Sequence, residues 1–360
     1  MDKFSLVDFL VEIPEGKTPI VLQLSDPQIV DSSQDEQGRL QPGEAPYWAK
    51  GKQEARCYGY IREMIENTKP DFILIAGDVV YGAFDHDGTC LQSFVEFMET
   101  FEIPWAPVLG NHETESRMGV DWQCAQFEKT KYCLFKQRSF TGNGNYSVGV
   151  KQGENLLHAF YMMDSNSGCP SENSLVNGHS KHPAGFGEDQ IAWYTESIQA
   201  IKSVSPTTGI TFTFHIPIYA FEKAYAKYGY VRSDSTSCPI DIDQRAERSA
   251  ADFGYILHPF GVWDTDERVW NGLKSLGVEC ICVGHDHEVC ASVVYEGVRL
   301  QFGLKSSTYD SNLYETPSGE RVMSWSPAGK PIIGGTVMEL SSNGSIAKAY
   351  HYYCKNVQFE

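Results

Sequence analysis

Five times along this chain a short apolar run stops at a cluster of polar residues. Ile20-Val21-Leu22-Gln23-Leu24 leads into Ser25-Asp26, Phe72-Ile73-Leu74-Ile75-Ala76 into Gly77-Asp78, and Pro107-Val108-Leu109 into Gly110-Asn111-His112. Ile210 to Phe214 runs into His215, and Val278 to Val283 into Gly284-His285-Asp286-His287. Runs of this length and composition read as strands, and the polar clusters as the loops that leave them. Helical stripes lie between them. Tyr60, Ile61, Met64 and Ile65 come before a stop at Pro70, Phe94, Phe97, Met98 and Phe101 repeat the spacing, and Ile191, Tyr194, Ile198 and Ile201 follow a helix start at Gly187-Glu188-Asp189. Val269, Trp270, Leu273 and Leu276 make a fourth stripe. Each has the three- and four-residue spacing of a core-facing helix side.

Beyond about residue 289 only strands are legible, with Val293 to Leu300 as a hairpin and Gly334 to Leu340 near the end. Strands separated by helices early and strands alone late predict an α/β protein. The expected architecture is a four-layer α/β/β/α sandwich, two mixed sheets face to face with helices outside. No internal repeat and no long Pro- or Ser-rich linker divides the chain. One domain over 1–360 is therefore expected, with irregular insertions at about 165–188 and 219–266.

At 360 residues and 41% hydrophobic, the chain can bury a large core. Its 29 Lys and Arg against 47 Asp and Glu leave a formal charge of −18, and no basic cluster interrupts that balance. No nucleic-acid-binding or anionic-membrane surface is evident on those grounds, and phosphate backbones are poor candidate partners. No apolar run approaches the ~18 residues that span a bilayer. The opening Met1 to Asp8 is acidic where a signal peptide is apolar. A soluble cytoplasmic protein is expected; a secreted or lysosome-like location would need a trimmed leader. Ten cysteines include no CxxC pair, which argues against a thiolate zinc site, and Cys280 and Cys282 alternate within a strand as small hydrophobes do. Sequons at Asn145 and Asn343 matter only on export.

Chemistry concentrates at the five strand ends. Taken singly, Asp26 and Asn111 read as helix caps, Gly77-Asp78 as a turn, His215 as a core histidine, and His285 with His287 as a solvated pair. Together they supply carboxylates, an asparagine carbonyl and imidazoles. Loops at the carboxyl ends of strands in an α/β sheet converge on one crevice, so these groups can meet across some 260 residues of chain. Oxygen and nitrogen donors without thiolate suit zinc, iron or manganese.

The blocks Asp26-Pro27-Gln28, Gly77-Asp78, Gly110-Asn111-His112-Glu113, His215 and Gly284-His285-Asp286-His287 resemble, in order and spacing, those of the calcineurin-like metallophosphoesterase superfamily. Asn145-Tyr146, Gly187-Glu188-Asp189-Gln190 with Trp193, and His215-Ile216-Pro217 are most similar to its purple-acid-phosphatase-like branch. The resemblance covers roughly residues 18–340. It implies that Asp26 and His287 hold a first metal, that Asn111, His215 and His285 hold a second, and that Asp78 bridges them. Position 28 departs from the common D-x-H pattern. The resemblance implies that Tyr81, at the GDxxY spacing, replaces the missing ligand and favours iron(III) at the first site. Gln28 is then left as a weak ligand or a hydrogen-bonding neighbour.

Two cations sharing a water lower its pKa and hold the resulting hydroxide in line with phosphorus; with the resemblance this implies a phosphoester hydrolase, expected to be a phosphatase acting on phosphate monoesters. The resemblance implies that His112 faces the substrate, to steady a phosphoryl oxygen or protonate the leaving group, with Glu113 expected to orient it. Arg117 and Lys305 lie near the site loops and are candidates for a substrate phosphate, a surface role being the plainer expectation for both. A phosphodiesterase acting on nucleotides or phospholipid head groups, and a non-catalytic scaffold of the same fold, compete with this expectation. Outside the set, His158 reads as a buried core histidine and His179 and His182 as loop residues, while His258 is unassigned. Oligomeric state is not legible.

Overall fold

The computed structural model describes residues 2–40, 44–166, 175–176, 179–180, 185–262, 267–307, 312–315, 321–324 and 330–355. The principal strands are β1 (Phe9–Glu12), β2 (Ile20–Leu24), β3 (Phe72–Ile75), β4 (Trp105–Pro107), β5 (Tyr146–Gln152), β6 (Asn155–Met162) and β7 (Gly209–Thr213). They continue with β8 (Cys280–Val283), β9 (Ser292–Tyr295), β10 (Val298–Phe302), β11 (Gly334–Leu340) and β12 (Ile346–Tyr353). Five of them form one sheet in the order β12-β11-β2-β3-β4, and seven form a second in the order β1-β5-β6-β7-β8-β10-β9. Both sheets are mixed. β2, β3 and β4 run parallel, as do β6, β7, β8 and β10.

The helices follow the apolar stripes. α1 (Lys52–Thr68) starts after Gly51, whose φ of 79° places it in the left-handed region while its N–H donates to the Glu54 carboxylate at 2.9 Å. The helix ends at Lys69, also left-handed, because Pro70 cannot extend it. α2 (Thr89–Glu99), α3 (Val120–Glu128), α4 (Glu188–Val204) and α5 (Glu267–Ser275) complete the set of principal helices.

The pleat of the seven-stranded sheet sorts its side chains onto two cores. Phe160, Met162, Cys280 and Cys282 face the five-stranded sheet and share one cluster with Leu22, Ile73 and the buried faces of α1 and α2. Ala159, Tyr161, Ile281 and Val283 face the other way, onto Tyr194, Ile198 and Ile201 of α4 and Trp270 and Leu273 of α5. The Phe72 and Phe160 rings meet across the sheets at 5.4 Å between centroids. A polar clamp joins the sheets as well: Gln301 Nε2 donates to Gln23 Oε1 at 2.8 Å, and Gln23 Nε2 donates to the Val283 carbonyl at 3.0 Å. This is the expected four-layer α/β/β/α arrangement. The hairpin forms as β9 and β10 around Glu296-Gly297, both at positive φ.

The segment at 219–266 differs from the irregular insertion expected. It carries a helix, Ala220–Tyr225, and a strand pair, Ile240–Asp241 with Tyr255–Ile256, and it packs aromatic residues onto the sheet, with Phe221 5.3 Å from Phe302 between ring centroids. Much of the segment at 165–188, His182 included, lies outside the described residues. His158 is fully buried, with Nδ1 2.7 Å from the Gly344 carbonyl and Nε2 2.8 Å from Thr211 Oγ1. His258 sits exposed beside the Pro259 carbonyl. No described helix is long and apolar enough to cross a membrane.

Candidate metal centre

Because β2, β3, β4, β7, β8 and β10 run the same way within their sheets, their carboxyl ends open onto one crevice. The sheets touch there. Ser25 and Lys305 form a parallel bridge, and the Ser306 N–H donates to the Ser25 carbonyl at 2.9 Å. Backbone conformation at this edge is unusual. Asp26, Gln28, Asp78 and His285 adopt φ values of 49°, 44°, 49° and 83°, a left-handed region that costs a residue with a Cβ about 1–2 kcal/mol. Glycines make the room. A Cβ on Gly110 would lie 2.1 Å from Asp78 Oδ1, and one on Gly77 would lie 2.5 Å from His215 Nδ1.

Two donor clusters result. Single ligand atoms of Asp26, Asp78 and His287 all lie within 4.8 Å of one another. Beside them, Asn111 Oδ1 is 3.1 Å from His215 Nε2 and 2.9 Å from His285 Nδ1. Asp78 belongs to both, with its Oδ2 3.2 Å from His215 Nε2 and its Oδ1 accepting the His112 N–H at 3.0 Å. His215 Nδ1 donates to the Ala76 carbonyl at 2.8 Å, which turns Nε2 into the crevice.

Charge is arranged to match. Burial works against the Asp26 carboxylate, but His287 and His215 outweigh it and hold its pKa at about 2. Asp78 is likewise held anionic against burial, by His215 and His112. Burial and the neighbouring His215 push His285 down to about 3, so its imidazole is neutral. Burial also acts to lower His215, yet Asp78 and Asp26 raise it to about 10.

His112 leans over this crevice. Its ring stacks on Tyr81 at 3.8 Å between centroids, and its Nδ1 is 2.8 Å from Glu115 Oε2. Burial opposes the charged imidazole, but Asp78 and Glu115 raise its pKa. The carboxylate that orients His112 is therefore Glu115 and not the expected Glu113. Glu113 instead accepts the N–H of Val79 at 2.6 Å and that of Gly110 at 2.7 Å, tying together the loops that carry Asp78 and Asn111. Burial and the nearby Asp78 push its pKa up to about 8. The Tyr81 hydroxyl lies 3.4 Å from the Arg39 guanidinium, which is also 3.4 Å from Glu115.

Gln28 is fully buried, and its Oε1 accepts from Lys305 Nζ at 2.7 Å. Lys305 is only 3% exposed, so the surface role expected for it does not hold. Arg117 does sit on the surface, in an ion pair with Glu36. Glu115 and the depth of Lys305 escaped the sequence reading. A usable signal existed for Lys305, since Val298 to Phe302 running into Gly303-Leu304-Lys305 makes a sixth strand end of the same kind.

Residues 20–289 match the family model of the calcineurin-like phosphoesterases, and the chain belongs to that family. Among solved structures, a dimetal phosphatase from Danio rerio is similar over 90% of this chain and 93% of its own, at 12% identity and a TM-score of 0.51, which shows a shared fold. An uncharacterized protein of Schizosaccharomyces pombe is 22% identical over 79% of this chain and 48% of its own length. A probable inactive purple acid phosphatase of Arabidopsis thaliana is 30% identical over 44% of each. The chain thus spans about half the length of the curated relatives it matches.

The family's metals suit this donor set. Two buried carboxylates held anionic, a neutral imidazole at His285 and a carbonyl oxygen at Asn111 are all electron-pair donors without thiolate. His215 adds an imidazole nitrogen, its Nε2 3.2 Å from Asp78 Oδ2 and its Nδ1 committed to the Ala76 carbonyl.

Proposed function

We propose that this protein is a two-metal-dependent phosphatase for phosphate monoesters. The observation that carries the reading is the pair of donor clusters sharing Asp78: Asp26 and His287 on one side, Asn111, His215 and His285 on the other. Iron, zinc or manganese fits these donors, and Tyr81 is assigned to the first position on resemblance alone, where a phenolate would favour iron(III). Bound there, the metals would supply Lewis acidity toward a phosphoryl oxygen and a water of lowered pKa. The chain's own residues do the rest. His112, its Nδ1 held by Glu115, presents Nε2 to the crevice and donates a proton to the leaving oxygen. Glu113 fixes the spacing of the Asp78 and Asn111 loops through two backbone N–H groups. Single-domain organisation and a soluble setting are part of the same proposal.

Two assays test it. Metal-loaded protein is expected to turn over an aryl phosphate faster than a bis-aryl phosphate; the reverse preference would make it a phosphodiesterase. His112→Asn is expected to lower kcat by about 10²–10⁴ with metal content unchanged. The probable inactive naming of the Arabidopsis thaliana relative favours a second reading, a non-catalytic scaffold. Absence of turnover with every metal, despite stoichiometric binding, would establish that reading instead.

A further inference from the structure

We infer that Gln28 is a hydrogen-bond donor locked in place by Lys305, not a metal ligand, and that the first metal position is therefore the weaker of two. The inference rests on the two-metal reading above and concerns how unequal the two positions are.

The orientation of the Gln28 amide follows from what an ammonium can do. Lys305 Nζ has three donors and no acceptor, so at 2.7 Å it must face the amide oxygen. The NH2 end then faces the other way, and this Nε2 is buried without a hydrogen-bond partner among the described residues. An amide oxygen can ligate a metal, whereas an amide nitrogen cannot. With its oxygen held by Lys305, Gln28 has only N–H bonds to offer, and a buried N–H without an acceptor is costly. A phosphoryl oxygen entering the crevice would relieve that cost.

Neither partner is free to swing. The Gln28 N–H donates to the Asp78 carbonyl at 2.9 Å, and the Gln28 carbonyl accepts from Gln53 Nε2 at 3.1 Å. Gln53 Nε2 also donates to Ser307 Oγ at 2.8 Å, two residues past Lys305, so the pair is braced from both strands. The lysine stays put because its own backbone bridges Ser25 at the meeting of the two sheets. Asp26, Asp78 and His287 remain as the clustered first-site donors, with Tyr81 added there by resemblance. A buried ammonium one amide away adds charge that opposes a cation there.

The experiment is equilibrium titration of metal-free full-length protein with Mn²⁺ or Zn²⁺, read by calorimetry and by metal analysis after dialysis. Wild type is expected to bind two equivalents in separate steps. Gln28→His should tighten only the weaker step, by about tenfold or more. Lys305→Met, which releases the amide oxygen, should tighten it in the same direction. Gln28→Leu should leave metal affinity unchanged while weakening inorganic phosphate binding to the loaded protein. Two equal steps in wild type, or a weaker metal step in Gln28→Leu, would overturn the inference while leaving the phosphatase reading intact. Absence of metal binding in wild type would overturn both. If Lys305→Met fails to fold, the two Gln28 variants decide the matter.

Discussion

The imidazole of His112 is held at one edge by the Glu115 carboxylate and on its face by the Tyr81 ring, so its orientation depends on two side chains. Glu115→Ala is expected to lower kcat about tenfold, with KM and metal content unchanged, and Glu115→Gln to recover part of the loss because it keeps an acceptor oxygen. Steady-state kinetics beside metal analysis checks both. His158 offers a separate test, far from that crevice in role. Burial lowers its pKa from 6.5 to about 4, while the Gly344 carbonyl opposes the shift only in part. The unfolded chain therefore takes up a proton that the folded chain refuses. The stability this contributes is complete above about pH 6.5 and falls away toward pH 4, by about 3 kcal/mol. Denaturant unfolding at pH 7 and pH 4.5 should show His158→Gln losing less stability on acidification than wild type; equal losses would refute the assignment.

Elements position the crevice through their ends. Gly110→Ala would set a Cβ against Asp78 Oδ1, which must move, and with it the donor common to both clusters. Circular dichroism is expected to stay native while metal binding falls at least tenfold. At the start of α4, Gln190 fills several hydrogen-bonding roles at once: Oε1 accepts the Gly187 N–H at 2.8 Å, and Nε2 donates to Asn145 Oδ1 at 2.9 Å and to the Asp164 carbonyl at 2.8 Å. Gln190→Ala removes three hydrogen bonds from this network and should cost about 2–3 kcal/mol in denaturant unfolding. Asn145, buried and engaged in the same network, is closed to glycosylation in the folded protein, whereas Asn343 is exposed.

Across the whole molecule, the five strand ends and the four helical stripes were legible because periodicity of apolar residues survives in any local window. The four-layer arrangement followed from their order. Pairings between distant segments were not legible. Lys305 lies 277 positions from Gln28, and although its place after a strand marks a sixth strand end, no local pattern pairs it with Gln28. Glu113 sits beside His112 in the chain but turns its carboxylate to the backbone, while Glu115, one helical turn on, reaches the ring. The aromatic packing at 219–262 was missed because its residues match no regular period. Since both sheets contribute donors, metal binding should stabilise the fold as one unit. Saturation at 100 times Kd is worth about 2.7 kcal/mol. The melting temperature should rise with metal in wild type and hardly at all in Asp78→Asn.

The left-handed backbone at Asp26, Gln28, Asp78 and His285 also bears on what selection would do with this chain. Each position would relax if it became glycine, and two of those changes would erase a carboxylate. A library of variants screened only for thermal endurance should therefore drift toward glycine or asparagine at these four places. One screened for metal retention should hold Asp26, Asp78 and His285 fixed and admit change at Gln28 alone. The crevice is the part of the molecule where durability and capability pull apart.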